Sequence, residues 1–183
     1  MLIAQISDLH IRDHLGMFGE LVDTSKTLEK AIQLLNALDP QPDVVLATGD
    51  LATSGFPEQY EALSKILEPL EVPLYLIPGN HDEHGPLLDA FSGKYGLVDD
   101  GHDYVRTVIE DYPLRFVSLD TTVAGHHHGA IPQERASWLN QVLSEKPNKP
   151  TFIFMHHPPF NTGIWWMDRL GILDGLDRFA EIL

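Results

Sequence analysis

Leu74-Tyr75-Leu76-Ile77-Pro78-Gly79-Asn80-His81-Asp82 is a short apolar run that stops in a polar turn. Four apolar residues closed by Pro-Gly have the length of a buried strand and are too few for a helix. The turn then presents an amide, an imidazole and a carboxylate together. The same layout recurs along the chain. Leu2–Ile6 runs into Ser7-Asp8-Leu9-His10, Asp43–Thr48 into Gly49-Asp50, and Thr151–Met155 into His156-His157-Pro158-Pro159. Helical stripes separate these runs. Leu28, Ile32, Leu35 and Leu38 fall at helical spacing over Thr24–Leu38, which Asp39-Pro40 closes. Tyr60, Leu63, Leu67 and Leu70 follow Pro57, and Ala136, Leu139 and Leu143 follow Pro132. Tyr104–Ile109 and Leu114–Leu119, on either side of Asp111-Tyr112-Pro113, predict a hairpin added to the sheet. The class is α/β. With no internal repeat and no linker, residues 1–183 read as one domain.

Composition narrows the chemistry. Twelve basic and 27 acidic residues give a formal charge of −15 over 183 residues. Such a surface repels phosphate backbones and anionic lipid, which disfavours a stable nucleic acid complex or membrane binding by charge alone. Phosphorylated small molecules remain open if bound cations supply the positive charge. Zero cysteines exclude disulfides, thiolate metal sites and cysteine nucleophiles. Ten histidines beside the carboxylates leave imidazole and oxygen as the ligand set, which suits Mn, Fe, Co or Zn. The N-terminal run Met1–Ile6 lacks a basic flank and meets Ser7-Asp8 too early for a secretory segment, so a cytoplasmic protein is expected.

In open α/β sheets ligands gather at the carboxyl ends of strands, so the four polar clusters are expected on one rim. Singly, Asp8 or Asp50 reads as a turn or helix-cap residue. Four such clusters at four strand ends would require four independent coincidences.

The ordered set Asp8-x-His10, Gly49-Asp50, Gly79-Asn80-His81-Asp82 and His156-His157 resembles the calcineurin-like metallophosphoesterase superfamily. Within it the likeness is to class III cyclic nucleotide phosphodiesterases and the related glycerophosphodiesterases. The resemblance spans essentially all 183 residues. It implies a four-layer αββα sandwich, which periodicity alone does not reveal. It also implies two divalent metal ions: Asp8 and His10 on the first, Asn80 and His156 on the second, and Asp50 bridging. His81 would face the scissile phosphate as charge stabiliser or proton donor. A hydroxide held between the cations would attack phosphorus in line. The implied substrate is a small phosphodiester, a 3′,5′-cyclic nucleotide or a glycerophosphodiester. A phosphomonoesterase, a nuclease or a non-catalytic metal-binding fragment are the alternatives on the same scaffold.

The sequence departs from the family pattern at its end. The superfamily closes its site with a Gly-His-x-His on a later strand, and no such motif occurs here. The helical stripe Leu176, Phe179, Leu183 also lacks a stop signal. The chain is therefore expected to be truncated, with ligands lost and apolar surface left for a homo-oligomer contact. His102, His126, His127 and His128 precede the His-His pair, out of order for that role, and are expected in solvated loops. His157 is expected to hydrogen-bond beside the site without coordinating. Trp165-Trp166-Met167 is expected in core or subunit contact, with a lip over the substrate as its functional alternative. Phe18-Gly19-Glu20 and Arg12 could line the entrance or touch phosphate, while His14 is expected on the surface.

Overall fold

The computed structural model describes residues 1–12 and 23–183. Strands β1 (Ile3–Ile6), β2 (Val44–Thr48) and β3 (Leu74–Ile77) form a wholly parallel sheet in that order. Helix α1 (Thr24–Ala37) connects the first two strands and α2 (Pro57–Leu67) the next two; α3 (His84–Phe91) follows. A second sheet has the order β4 (Arg106–Ile109), β5 (Arg115–Leu119), β7 (Thr151–Phe154). Its first pair is antiparallel and its second parallel. A small parallel pair, β6 (Gly129–Ala130) with β8 (Ile172–Asp174), lies beyond it. Helices α4 (Gln133–Glu145), α5 (Trp165–Asp168) and α6 (Leu176–Ile182) complete the described chain.

Side-chain alternation assembles these elements into layers. On β2, Val45 and Ala47 pack with Leu28 and Ile32 of α1, Leu63 of α2 and Phe91 of α3. The alternate residues Val44 and Leu46 meet Ile77, Ile109, Phe116 and Phe154 between the two sheets. Beyond Phe116, Val117 and Leu119 turn the other way, against Leu139 and Val142 of α4 and Phe179 of α6. Helices, sheet, sheet, helices: the α/β chain is an αββα sandwich. Burying each of these large apolar side chains contributes ~1.5–3 kcal/mol against leaving it in water.

Most expected elements stand within a residue or two of their predicted bounds, with Leu38 and Leu70 just past their helix ends. Three readings change. The hairpin β4–β5 belongs to the second sheet and is not added to the parallel one. Among the described residues strand β7 stands at the edge of its sheet, and Phe152 on it is 43% exposed. Helix α3 was hidden by its opening His84-Gly85-Pro86, where glycine lowers helix propensity; Leu87 and Phe91, one helical repeat apart, bury it.

A buried ionic clasp joins the two halves. Asp120 follows β5; its Oδ2 accepts from His84 Nε2 at 2.6 Å and from the Val105 amide at 3.0 Å. Oδ1 accepts from the Thr122 amide and hydroxyl at 2.8 and 2.7 Å, and Arg135 Nη1 lies 3.6 Å away. Burial pulls the His84 imidazole down, but the hydrogen bond and charge of Asp120 outweigh it and raise the pKa. Burial pushes Asp120 up, and the His84 bond and Arg135 charge reverse that to a net lowering. The two signs define a window. The Asp120 contribution is present above the ordinary carboxylate range and lost as pH falls through its folded pKa. The His84 contribution is full below ~6.5 and lost as pH rises through its raised folded value. His84→Ala should therefore cost about 1.5–3 kcal/mol in mildly acidic urea titrations and clearly less near pH 9. A cost that grows toward alkaline pH would contradict the clasp.

Candidate metal centre

The loops after β1 and β2 run side by side. The Asp8 amide donates to the Gly49 carbonyl at 3.1 Å, His10 to Asp50 at 2.9 Å, and Ile11 to Leu51 at 3.0 Å. Leu9 and Ile11 are buried in the helix-side core, so the alternate residues Asp8 and His10 project to the rim. This pairing comes at a conformational cost. Asp8, His10 and Asp50 have φ of 56°, 44° and 51°, a left-handed backbone that residues other than glycine seldom adopt. Each such residue costs ~1–3 kcal/mol, and such strain concentrates at functional sites.

Asp82 ties the β2 and β3 loops together. Its Oδ2 accepts from the Leu51 and Gly79 amides at 2.9 and 2.8 Å; its Oδ1 accepts from the Ala52 amide and Tyr60 hydroxyl, both at 3.0 Å. Burial raises the Asp82 pKa against those four donors. Burial, then the Asp82 charge, likewise raises the Tyr60 phenol, which stays a neutral donor. Two glycines permit the close approach. A Cβ on Gly79 would lie 2.2 Å from the Asp50 amide nitrogen, and one on Gly49 would lie 2.6 Å from His156 Nδ1.

The functional atoms meet above these loops. His156 Nδ1 lies 2.8 Å from the Thr48 carbonyl and His81 Nδ1 2.8 Å from the Thr53 carbonyl. A carbonyl only accepts, so each Nδ1 carries a proton, and the neutral form of each ring presents a lone pair at Nε2. His156 Nε2 is 3.2 Å from Asn80 Oδ1 and 3.5 Å from Asp50 Oδ1. On the other side, His10 Nε2 is 3.6 Å from Asp50 Oδ2 and 3.9 Å from Asp8 Oδ1. The His81 amide also donates to Asp50 Oδ1 at 2.9 Å. Two sets of potential ligand atoms result, each within 4.8 Å: His10, Asp50 and His81, and Asp8, Asp50 and His156. Asp50 belongs to both. Nitrogen lone pairs facing carboxylate and amide oxygens repel unless a proton or cation lies between them, and this donor set suits a borderline divalent ion. The hydrogen bonds that hold each Nδ1 are the outer-sphere support that metal-binding histidines use.

A family model for the calcineurin-like phosphoesterases matches residues 1–180. The chain belongs to that family. Among curated relatives it is 36% identical over its whole length to a probable glycerophosphodiester phosphodiesterase of Arcobacter nitrofigilis. It is 34% identical to a glycerophosphodiester phosphodiesterase of Enterobacter lignolyticus, again over 100% of the chain. A 3′,5′-cyclic-nucleotide phosphodiesterase of Nostoc is 31% identical over 98% of it. The chain spans about two thirds of these relatives, 66%, 68% and 65% of their lengths in turn. No helix among the described residues is long and apolar enough to cross a membrane.

In this calcineurin-like phosphoesterase the five residues expected as ligands, Asp8, His10, Asp50, Asn80 and His156, do converge. A cavity of about 360 Å³ opens over Asp8, Asp50, Asn80, His81 and His156. Three expectations are refined. His127, expected in a solvated loop, has an exposed ring that belongs to the site, accepting from Asn80 Nδ2 at Nδ1 over 3.0 Å and lying 5.5 Å from the His81 ring. His126 and His128 face each other instead. The Trp165-Trp166-Met167 cluster is not core: it forms the exposed helix α5, and Met167 reaches the cavity. His81 comes within ligand range of His10 and Asp50 although its expected role was not coordination. His157 makes the hydrogen bonds expected of it. Its Nε2–H donates to the His127 carbonyl at 3.2 Å and its Nδ1 accepts from Thr121 Oγ1 at 2.8 Å. Burial, then the neighbouring His156, pushes its pKa down to about 4, so the ring stays neutral. Arg12 is exposed; His14 and Phe18-Gly19-Glu20 lie outside the described residues.

Proposed function

We propose that the chain is the catalytic domain of a binuclear, divalent-metal-dependent phosphodiesterase acting on small phosphodiesters, either 3′,5′-cyclic nucleotides or glycerophosphodiesters. The observation that carries this reading is the placement of Asp50. Its two carboxylate oxygens face different imidazoles, Oδ2 toward His10 at 3.6 Å and Oδ1 toward His156 at 3.5 Å. A bridging carboxylate has this outlook. Asp8 and His10 would hold one Mn-, Fe-, Co- or Zn-like ion, and Asn80 and His156 the other. Bound there, the two cations would polarise the phosphoryl oxygens and make water nucleophilic at neutral pH. The protein's own contribution is orientation. The Thr53 carbonyl fixes the His81 ring through Nδ1, so that its Nε2, once protonated, can donate to a phosphoryl or leaving-group oxygen. The names of the relatives support diesters over monoesters, and the charge of −15 opposes long polynucleotides.

The test is a substrate comparison on the Mn-loaded chain: bis(p-nitrophenyl) phosphate against p-nitrophenyl phosphate, beside cyclic AMP and glycerophosphoethanolamine. Diesters should be turned over faster. A preference for the monoester would select the phosphomonoesterase reading instead. The role of His81 has its own check. His81→Ala should keep its metal by elemental analysis while kcat falls ~10²–10³-fold. Parallel loss of metal would make His81 a ligand alongside His10 and Asp50.

A further inference from the structure

Among the described residues, the polar floor of the cavity meets an apolar wall. Pro158, Met167 and Leu170 line the same space as Asp50, Asn80 and His156. The wall is not an incidental loop. The Asp168 carboxylate gathers the chain into a closed turn: Oδ1 accepts from the Thr162 amide at 2.6 Å and its hydroxyl at 2.7 Å, and Oδ2 accepts from the Gly163 amide at 3.2 Å. The Thr162 hydroxyl in turn accepts from the Ile164 amide at 3.2 Å. Those hydrogen bonds hold Asp168 ionised, with the Thr162 hydroxyl foremost among them. Beyond the turn, the Gly129 amide donates to the Gly171 carbonyl at 3.0 Å and fastens the segment to the β6 edge. Met167 and Leu170, which line the cavity, are nevertheless 36% and 43% exposed. A protein that leaves large apolar side chains in water at the rim of a polar site gains from covering them when a ligand arrives.

From this arrangement we infer that Met167 and Leu170 are the specificity wall of the site and that Asp168 is their positioning residue. The inference rests on the phosphodiesterase reading for where the phosphoryl group sits. A diester held by its phosphoryl oxygens over Asp50 has two ester arms. The arm on this side meets a thioether and an isobutyl group. A polyhydroxyl arm such as glycerol would leave its hydroxyls without partners against that surface, whereas an aromatic ring would be packed by it, with the added attraction of sulfur for a ring edge. The favoured substrate class is a phosphodiester that bears an aromatic group on one ester arm, such as a base-bearing or aryl ester.

Binding can be read without turnover. Calorimetric titration of the Mn-loaded chain with diphenyl phosphate and with dimethyl phosphate should show the aromatic diester bound about tenfold more tightly or better. Met167→Ala and Leu170→Ser, at exposed positions that do not threaten folding, should each remove most of that preference. Asp168→Ala should remove it too, and Asp168→Asn should restore part of it, because its Oδ1 can still accept both Thr162 bonds. Equal affinities for the two diesters in the unmodified chain, or a preference unchanged in all of these variants, would overturn the inference. So would variants that change only the sedimentation coefficient, since the wall would then cover a second copy of the chain. Aromatic preference without hydrolysis of any diester would leave the wall standing and remove the phosphodiesterase reading.

Discussion

Asp50→Asn should lose at least one equivalent of bound metal and at least ~10³-fold in phosphodiester turnover while remaining folded. Asparagine is the informative replacement. It tolerates the left-handed backbone that Asp50 adopts at φ 51° better than alanine does. Its amide oxygen can still accept from the His81 amide, a bond of 2.9 Å in the unmodified chain. What it removes is the charge and one of the two oxygens that face His10 and His156. Elemental analysis after dialysis, read beside the far-ultraviolet circular dichroism spectrum, separates loss of ligand from loss of fold. A variant with full metal content and near-normal turnover would show that Asp50 does not bridge, and the binuclear reading would go with it.

The strand ends and their polar clusters were legible because each follows a run of apolar residues whose length and closing turn leave little choice. The layering was legible only through the family resemblance, not through periodicity. A hairpin such as β4–β5 shows the same alternation whether it extends a sheet or starts another, and only the partners of Phe116 and Val117 reveal the second sheet. Residue roles within a motif were similarly hidden. Asp50 and Asp82 are both carboxylates at strand ends, yet one faces the cavity and the other is enclosed by four donors. The difference arises from where the neighbouring loops place their amides, which no spacing encodes. His127 is the sharper case. Three adjacent histidines are indistinguishable as letters, and the middle one is selected because buried His157 holds its carbonyl and Asn80 donates to its ring. The signal that could have pointed to it is the second histidine of His156-His157, since a buried imidazole with two occupied nitrogens must be bonded to something.

Asp82 should prove the more damaging position for the fold, although it is not among the proposed ligands. Asp82→Ala strips four donors of their acceptor at once: the Leu51, Ala52 and Gly79 amides and the Tyr60 hydroxyl. The site is buried, so water replaces few of those bonds, and leaving such a network unpaired costs about 3–5 kcal/mol. Burial favours the neutral acid here, and Asp82→Asn, which is neutral without a pH change, isolates geometry from charge. Its amide nitrogen must face one pair of donors, so it should recover only part of the loss. Urea denaturation in the presence of chelator is the appropriate measurement, because bound metal would add its own stabilisation to whichever variant retains it. Under those conditions Asp50→Asn should unfold close to the unmodified chain while Asp82→Ala unfolds well before it. Metal binding by Asp82→Ala should weaken as well, since the loops bearing Asp50 and Asn80 are joined through that carboxylate. If Asp82→Ala stayed within ~0.5 kcal/mol of the unmodified chain, the range of an ordinary surface substitution, the carboxylate would not be what holds the two ligand loops in register. The left-handed turns of Asp8, His10 and Asp50 would then have to be held by the parallel backbone pairing alone.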